Sequence, residues 1–318
     1  MTRQAIDEQT AGVAPLHLRL PATSANLGPG FDTLAIALNF YLEIHAREAD
    51  AFSINASGRN PEVCGSLERN LLLDVYRKTL AAHQREATPL ALDVANGIPL
   101  GMGCGSSAAV RLAGVALAAH FGQLGWDREG ILDEATKLEG HPDNVVACSM
   151  GGFVAGCWDG IKLRAVSFPV PTAWQALVVL PEKPLATVAS RAMLPPTYNR
   201  ADVVANLQRV AVLTAAFATG RGEYIAEAMR DRMHQPYRSK FCPLLPRLLP
   251  LSGSDNILGV ALSGAGPAVL LLVQSSDAIE SIEARIRQVV SELGPIEILR
   301  CEIENQPAKM LSDALPLP

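Results

Sequence analysis

The sequence lacks several features that mark nucleic-acid-binding, zinc-binding or secreted proteins. Aromatic residues make up only 5% of the 318 residues, and the net charge of -5 comes without any Lys/Arg block, which argues against a nucleic-acid partner. The six cysteines, at positions 64, 104, 148, 157, 242 and 301, form no CxxC pair and no Cys/His cluster with zinc spacing. We interpret them as thiols of a cytoplasmic protein, most of them packed as small apolar residues.

Segments that could target or cross a membrane are lacking as well. The N-terminal stretch MTRQAIDEQTAGVAP is polar and has no apolar signal-peptide region, so we expect a flexible tail over residues 1–14. The uncharged run Ile257–Val273 falls short of the ~18–20 apolar residues of a membrane span and contains Gly-Ala-Gly-Pro in its middle. It predicts two buried strands joined by a tight turn, and no membrane partner.

What the sequence does contain is enough apolar material for about two domains, with 49% hydrophobic residues. Strand-like alternation over Leu16–Leu20 ends at Pro21, and a Gly/Pro-rich loop, ATSANLGPGFD, follows. A helix that is apolar on nearly every side is predicted from Ser106 to Gly122, with Ser106 or Ser107 as its N-cap. A proline-containing break near residues 166–172 marks the boundary between the two domains.

The stretch PLGMGCGSSAAV, Pro99–Val110, places three alternating glycines between a predicted strand and this helix. Such a turn exposes helix N–H groups and lets the backbone approach a phosphate, while serine hydroxyls suit a phosphate oxygen or Mg²⁺. The loop has no Walker A lysine, no second strand bearing an acid at Rossmann spacing, because that region is predicted as helix and loop, and no accompanying protein-kinase motifs. It predicts a nucleotide triphosphate site of another kind, with a plain tight turn as the alternative.

Four stretches in order resemble the GHMP small-molecule kinases, and among them the homoserine kinases. PATSANLGPGFDTLAIAL, from Pro21, resembles the N-terminal signature of homoserine kinases, and PLGMGCGSSAAV resembles the phosphate loop of the superfamily. LEGHPDNVVACSMGG, from Leu138, resembles the substrate and magnesium segment, and LSGAGPAVLLL, from Leu262, the C-terminal glycine motif. The phosphate loop departs from the usual pattern at Cys104, where the family has leucine, and we expect little effect from this small apolar change.

The resemblance implies an α+β fold of two domains. An N-terminal GHMP kinase ATP-binding domain of the ribosomal S5 domain 2-like type would span 15–168, and a C-terminal ferredoxin-like GHMP domain 169–318. ATP would be the co-substrate, Mg²⁺ the cofactor, and L-homoserine the acceptor that becomes O-phospho-L-homoserine on the route to threonine. A homodimer is left open. Two alternatives are kept: a GHMP kinase for another small alcohol, such as a mevalonate-type acid, and a nucleotide-binding sensor without turnover.

The implied substrate pocket is matched to a zwitterion that carries a hydroxyl group. Asp32 would bind the ammonium group, and Arg191 and Arg238 would bind the carboxylate through paired N–H donors. Asp32 argues against a mevalonate-type acid, which has no ammonium group. The other implied substrate contacts are Asn26, His141, Asp143, Asn144, Thr187 and Gly264. For each residue the alternative is an ordinary turn, cap or surface role.

Asn144 and Thr187 are the implied catalytic residues. Asn144 would contact the attacking hydroxyl, and because an amide accepts no proton at neutral pH, catalysis would rest on alignment and charge neutralisation. Thr187 precedes Arg191 by four residues, so the two would share one face of a helix. Pro142 is expected to hold the GHPDN segment as a loop rather than a helix.

The implied metal ligands and ATP contacts surround the phosphate loop. Glu139, together with Ser106 or Ser107, would hold Mg²⁺, with a surface glutamate at a helix end as the alternative. Gly264 and Gly266 would bring a loop of the second domain close to the phosphate loop. The implied ATP contacts are Asn70, Pro99, Leu100, Gly101, Met102, Gly103, Cys104, Gly105, Ser106, Ser107 and Ala108.

Overall fold

The structure is a computed structural model that describes residues 12–184, 187–274 and 276–310, so residues 1–11 of the predicted tail lie outside the described part. The strands are β1 (Leu16–Asn26), β2 (Gly30–Glu48), β3 (Ser53–Gly58), β4 (Leu90–Asn96), β5 (Phe153–Trp158), β6 (Leu163–Phe168), β7 (Gln175–Pro181), β8 (Ile257–Leu262), β9 (Val269–Val273) and β10 (Ile296–Glu302). The helices are α1 (Pro61–Cys64), α2 (Leu71–Ala82), α3 (Ser106–Phe121), α4 (Arg128–Glu139), α5 (Asp143–Met150), α6 (Thr187–Ala192), α7 (Arg200–Thr219), α8 (Ile225–Ala228), α9 (Gln235–Arg238), α10 (Leu244–Leu248) and α11 (Ile279–Val289).

The first half of the chain forms a six-stranded sheet backed by helices. Strand β2 is its centre, because it pairs antiparallel with β1, β4 and β5. The order is β3-β4-β2-β5-β6, with β1 also on β2, and β3 runs parallel to β4. Helix α3 packs between α2, α4 and α5 and lies against β1, and its residues are buried on nearly every side, as its apolar sequence predicts.

Strand β1 continues past Pro21 to Asn26, so the prediction that Pro21 ends it is wrong. The register with β2 shifts between Pro21 and Ala22, and such an irregularity accommodates a residue that has no N–H to donate. The loop expected from Ala22 onward shortens to a turn over residues 27–29. The longer strand carries its last residues directly into the candidate site.

Two helices begin differently from the prediction. Helix α3 has Gly105 at its N-cap, in the left-handed conformation, and no serine side chain caps it. Helix α5 begins at Asp143, immediately after Pro142, so the prediction of a loop over GHPDN is wrong for its last two residues. A proline is tolerated at a helix start because N–H groups there have no intrahelical partner. Both helix starts leave polar side chains free to face the same cavity.

The second sheet has the antiparallel order β10-β7-β9-β8. With helices between β7 and β8, and α11 between β9 and β10, this is the split β-α-β pattern of ferredoxin-like domains. Along β7, Val178 enters a core shared with the first sheet, whereas Leu177 and Val179 enter a second core under α10 and α11. Both faces of this sheet are therefore covered, which explains the continuous apolar run from Ile257 to Val273 and confirms its two buried strands.

The change from the first sheet to the second falls between Phe168 and Gln175, beside the predicted break. After β10 the chain returns to the first sheet, where Ile303 bridges Leu38 and Lys309 bridges Arg19. The division at 168/169 stays a prediction, because the final described residues contact the first half.

Among the described residues, α7 is the one helix that is long and apolar enough to cross a membrane, judged by length and composition alone. Its Leu213, Ala216 and Phe217 are buried in the core shared by the two sheets. Packing of this kind is also expected of an amphipathic helix in a folded domain.

Candidate active site

Most of the predicted site residues line one small cavity, of about 60 Å³, between the first sheet and the loop that joins β8 to β9. The lining consists of Asn26, Asp32, Gly101, Gly103, Gly105, Ser106, Ser107, Glu139, His141, Asp143, Asn144, Arg191, Arg238, Gly264 and Ala265. A larger cavity of about 740 Å³ lies beside α8 and α10, but none of the described residues that line it is a predicted site residue. The chemistry is therefore concentrated in the smaller cavity.

The phosphate loop, residues 99–105, connects β4 to α3 and is held from two sides. Gly103 and Gly105 have φ angles of 82° and 73°, which favour glycine. A Cβ at Gly103 would lie 2.2 Å from the Ser263 carbonyl oxygen, and one at Gly105 would lie 1.9 Å from Thr23 Oγ1. These glycines thus make room for β1 and for the β8–β9 loop. The first N–H groups of α3 have no partner within the helix, as an anion site requires, and phosphate binding there stays a prediction.

The turn after β1 shapes the other wall of the cavity. Asn26, Leu27 and Asp32 all have positive φ angles, of 70°, 46° and 54°, and such strain at non-glycine residues is concentrated at functional sites. Asn26 holds the turn together, since its Oδ1 accepts from the Asp32 N–H at 3.0 Å and its Nδ2 donates to the Gly264 carbonyl at 2.8 Å. Asn26 therefore fixes the Asp32 backbone and joins the turn to the β8–β9 loop.

Asp32 and Arg191 form a two-pronged ion pair across the cavity. Arg191 Nη1 and Nη2 donate to Asp32 Oδ2 and Oδ1 at 3.0 and 2.6 Å. The side chains are 39% exposed for Arg191 and 29% for Asp32, so solvent screens the pair in part. Burial lowers the pKa of Arg191, but its bonds to Asp32 and the surrounding carboxylates outweigh this and leave the pKa raised. The predicted ammonium-binding and carboxylate-binding groups thus face one another at hydrogen-bond distance.

Arg238 is the second cationic group of the cavity and is almost fully buried, at 1% exposure. Its Nη1 contacts His234 Nδ1 at 3.2 Å and the Gly264 carbonyl at 3.3 Å, while its buried Nε has no hydrogen-bond partner among the described residues. Burial and the nearby Arg191 charge lower the pKa of Arg238 from its ordinary value. A buried guanidinium with unused donors is suited to an incoming carboxylate.

The buried Asp231 carboxylate organises the segment that carries Arg238. Asp231 accepts from the backbone N–H groups of Met233, His234 and Gln235 and from the Asn206 side chain. Burial alone would raise the pKa of Asp231, but these donors and His234 keep it below its ordinary value. The His234 ring in turn contacts the Gly28 carbonyl at 2.7 Å, so the network reaches the turn after β1. Arg238 is therefore held in place from both sides.

His141, Asp143 and Asn144 form a connected group at the start of α5. Asp143 Oδ1 accepts from Asn144 N–H at 2.7 Å, and His141 Nδ1 lies 2.6 Å from the same oxygen. Burial would lower the pKa of His141, but the bond to Asp143 and the charges of Asp143, Asp32 and Glu139 leave it raised. Thr23 Oγ1 donates to Asn144 Oδ1 at 2.7 Å. The Asn144 amide oxygen thus accepts from Thr23, and its NH₂ group donates to Asp143 Oδ1 at 3.2 Å, which leaves one N–H of the amide for a ligand.

Glu139 ends α4 close to the first turn of α3. Ser107 Oγ donates to Glu139 Oε2 at 3.2 Å, and the Glu139 side chain is only 9% exposed. A carboxylate and a hydroxyl are oxygen donors of the type that Mg²⁺ prefers, so this pair fits the predicted metal. The geometry favours Ser107 over Ser106 as the serine beside Glu139. Arg111 Nη1 also lies 2.5 Å from Glu139 Oε2 and contacts Ser107 Oγ.

Several predicted ATP contacts lie away from this cavity. Pro99, Leu100 and Met102 line a neighbouring cavity of about 470 Å³, whose far side carries the Arg59–Glu297 ion pair. The Cys104 and Ala108 side chains are buried in the core. Burial raises the pKa of the Cys104 thiol to about 12. These two residues therefore offer a ligand their backbone rather than their side chains.

Asn70 and Thr187 are the remaining predicted residues. Asn70 caps α2 through Leu73 N–H, and its Nδ2 donates to the carbonyls of Cys64 and Ser66 at 3.1 and 2.8 Å. Its amide is thus occupied by the protein, and it is absent from the described lining of the cavity. Thr187 is the first residue of α6, but its side chain lies outside the described part, so its role stays a prediction.

Several residues of the site were missed by sequence reasoning. Thr23 lies in the quoted N-terminal motif, but only the bend of β1 brings its hydroxyl to Asn144. Phe31 lies under both Arg191 and Arg238, with ring centroid distances of 5.4 and 5.3 Å. Arg111 carried a usable signal, since it is the lone charge in a helix that is otherwise apolar and follows Ser107 by one turn.

Comparison with known proteins agrees with this geometry. The family models for the N-terminal and C-terminal domains of GHMP kinases match residues 70–152 and 213–292. The chain is 44% identical over 295 residues to a homoserine kinase of Solibacter usitatus, a match that covers 91% of this chain and 95% of that protein. It is 36% identical to a homoserine kinase of Moorella thermoacetica, covering 87% and 96%.

Solved structures show the same architecture. A homoserine kinase from Cytophaga hutchinsonii is 25% identical, with a TM-score of 0.77 over 98% of this chain and 100% of that one. A Lactococcus lactis galactokinase complexed with galactose, at 13% identity and a TM-score of 0.67, shares the fold, covering 93% of this chain and 95% of its own. The glycine loop and the two-sheet fold are thus those of the GHMP kinases, a class of ATP-dependent small-molecule kinases. Given relatives of this identity over most of its length, the chain belongs to the homoserine kinase family, and the predicted fold and function are confirmed.

Proposed function

We propose that this chain transfers the γ-phosphoryl group of ATP to the hydroxyl of L-homoserine, giving ADP and O-phospho-L-homoserine, and that the residues of the small cavity perform the step. The observation that carries the assignment of roles is the Asp32–Arg191 pair. A carboxylate and a guanidinium lie in direct contact in the cavity, and these are the groups that can bind the ammonium and the carboxylate of an amino acid once they separate. No comparable use exists for Asp32 with an acceptor that lacks an ammonium group.

Substrate binding would exchange this ion pair for two others. The cavity measures about 60 Å³, compared with about 470 Å³ for the neighbouring cavity beside Pro99, so an amino acid enters only if the pair separates. The ammonium group takes Asp32 as its partner, and the carboxylate takes Arg191 together with the buried Arg238. Because each charge regains an opposite charge, the exchange costs little electrostatic energy.

The transfer step would depend on alignment. Asn144 lines the cavity together with the glycines of the phosphate loop, and the Thr23 hydroxyl and Asp143 Oδ1 fix the orientation of its amide. An amide accepts no proton, and Asp143 Oδ1 already receives the His141 and Asn144 donors. Phosphoryl transfer through a loose transition state requires little removal of the hydroxyl proton before the new P–O bond forms, so the proton can leave afterwards to a phosphate oxygen of the product or to water as the bond to ADP breaks. Positioning of the hydroxyl in line with the γ-phosphate is then the main contribution of the protein.

Glu139 and Ser107 would hold Mg²⁺ at the start of α3, since the two oxygen donors are 3.2 Å apart and the carboxylate is buried. When bound, the ion neutralises negative charge on the β- and γ-phosphates. The chain's own contribution would be the row of N–H groups at the α3 N-terminus, which can donate hydrogen bonds to phosphate oxygens.

Cytoplasmic location and a homodimer belong to the same proposal. The six cysteines are free thiols, four of them buried, which suits a reducing compartment. Size-exclusion chromatography with light scattering tests the homodimer, which stays a prediction.

The proposed reaction is tested by coupled ADP release with ATP, Mg²⁺ and a panel of acceptors: L-homoserine, D-homoserine, mevalonate, shikimate, galactose and no acceptor. We expect a rate well above background with L-homoserine alone. A faster rate with mevalonate, shikimate or galactose would keep the fold and the phosphate loop but overturn the roles of Asp32, Arg191 and Arg238. Nucleotide binding without turnover on any acceptor would favour a sensor.

A further inference from the structure

Arg111 lies in the site, although neither the sequence motifs nor the proposed mechanism uses it. It follows Ser107 by four residues on α3, so both side chains project from one face of the helix. Its Nη1 contacts Ser107 Oγ and lies 2.5 Å from Glu139 Oε2, while Ser107 donates to the same Oε2 at 3.2 Å. Each of the three side chains therefore contacts the other two, and two of them, Ser107 and Glu139, are the residues assigned to the metal.

This group of three side chains is partly shielded from water. Arg111 is 25% exposed and Glu139 is 9% exposed, so their attraction is screened less than that of a surface pair. Glu139 Oε2 already accepts from both neighbours. A divalent cation that binds this oxygen must displace the Arg111 donor, and it then meets the repulsion of a guanidinium close by.

The charge balance depends on whether a nucleotide is present. Without phosphates, the one carboxylate of Glu139 would face both the guanidinium of Arg111 and a divalent ion. With a nucleotide in place, several phosphate charges are added to the same region, and both cations find partners. A guanidinium can also exchange a carboxylate partner for a phosphate partner, because its planar set of N–H donors matches both groups.

We propose that Arg111 is a positioning residue that acts as the built-in counter-cation of the metal site and makes metal binding depend on the nucleotide. The inference rests on the proposed metal role of Glu139 and Ser107. Arg111 keeps the Glu139 carboxylate neutralised and the Ser107 hydroxyl in place, and it gives way only when phosphates arrive with the ion. The enzyme therefore accepts the metal–nucleotide complex in preference to the free ion.

The test uses Mn²⁺ as the probe, with the free ion measured by electron paramagnetic resonance on the nucleotide-free protein. We expect Arg111→Gln to bind Mn²⁺ at least tenfold more tightly than the wild type, and Arg111→Lys, which keeps the charge without the planar fork, to fall between them. Lys137→Gln is the matched control, because it removes one positive charge from an exposed side chain on α4 that pairs with Glu134. This control should bind Mn²⁺ like the wild type.

The proposal is overturned if a folded Arg111→Gln protein, judged by circular dichroism and thermal unfolding, binds Mn²⁺ no better than Lys137→Gln. Should Arg111→Gln not fold, Arg111→Met, which also removes the positive charge, takes its place, and Mn²⁺ affinity no better than that of Lys137→Gln would overturn the proposal equally. The double variant Arg111→Gln/Glu139→Gln should lose the gain, and a gain that survives contradicts both the counter-cation and the metal ligand. Binding of Mn²⁺–ADP to Glu139→Gln distinguishes the role of Arg111 from the metal role of Glu139. If Glu139→Gln binds Mn²⁺–ADP more weakly than the wild type, while Arg111→Gln binds free Mn²⁺ no more tightly, only the role of Arg111 is rejected.

Discussion

Removal of the Arg191 side chain should weaken homoserine binding far more than ATP binding. In the structure Arg191 makes two charge-assisted hydrogen bonds, at 3.0 and 2.6 Å, and these would pass to the substrate carboxylate. Loss of such a bonded pair costs about 3 kcal/mol. Part of this is offset, because the Asp32 pair no longer has to be broken, and a pair that is 39% and 29% exposed is worth about 1 kcal/mol at most. The net loss of about 2 kcal/mol corresponds to roughly a 30-fold rise in KM for homoserine.

The assay is coupled ADP release with each substrate varied in turn. For Arg191→Ala we expect the KM for ATP to stay within about twofold of the wild type, since Arg191 faces Asp32 and not the phosphate loop. Arg191→Lys should lie between, because it keeps the charge but loses the planar pair of donors. Arg230→Ala, at a 70% exposed side chain, is the control for loss of a charge. A wild-type homoserine KM in Arg191→Ala, or equal losses for both substrates, would refute the exchange of ion pairs.

Three further outcomes test other parts of the site. Because the pKa of His141 is raised in the folded state, its protonation stabilises the fold fully below the ordinary pKa of about 6.5, and this stabilisation is lost as pH rises through the raised pKa. The difference in urea unfolding free energy between the wild type and His141→Gln should therefore be larger near pH 5.5 than near pH 8.5. A difference that grows with pH would contradict this effect of His141. Gly105 has a positive φ, and Gly105→Ala would put a Cβ 1.9 Å from a threonine hydroxyl, so we expect about 2–4 kcal/mol of destabilisation in urea titration. Gly160 also has a positive φ but open space around it, so Gly160→Ala should cost only about 1 kcal/mol. Equal costs for the two variants would disprove the close approach at Gly105. With Ellman's reagent, the exposed Cys157 should give the fast phase of the native protein, and Cys157→Ser should remove it. A fast phase that persists in Cys157→Ser and also in Cys157→Ser/Cys64→Ser would show that a thiol described as buried is accessible.

The parts of the fold that follow from local pattern were predictable. The apolar helix from Ser106, the glycine loop before it and the two buried strands around Gly-Ala-Gly-Pro each depend on residues close in sequence. Pro21 misled the strand prediction, because a register shift against β2 accommodates a residue that local rules treat as a strand end. That shift is a property of the paired strand, which lies outside the local sequence.

The composition of the site was predictable where a motif carried it, and not where only packing did. Asp32 and Glu139 lie in recognisable segments and carry charges that suggest a role, whereas Thr23 lies in such a segment without that signal and Arg111 lies outside one. Arg111 and Thr23 act through contacts with residues 28 and 121 positions away. The Asp231 network that supports Arg238 is a buried polar cluster without any period or spacing. Such clusters are set by the tertiary fold, so sequence reasoning finds their members only after the neighbours are known.

The central claim is that the cavity recognises both charges of a zwitterion by exchanging the Asp32–Arg191 pair. The most direct measurement compares kcat/KM for L-homoserine with that for 4-hydroxybutyrate, which lacks the ammonium group, and 3-amino-1-propanol, which lacks the carboxylate. Each analogue leaves a charged group of the site without its new partner, the half-buried Asp32 in one case and Arg191 with the buried Arg238 in the other, a loss of about 2 kcal/mol or more, so we expect each to be at least about 30-fold poorer. A kcat/KM within about tenfold of that for L-homoserine, for either analogue, would show that the enzyme does not recognise the missing charged group, and would contradict the exchange of ion pairs.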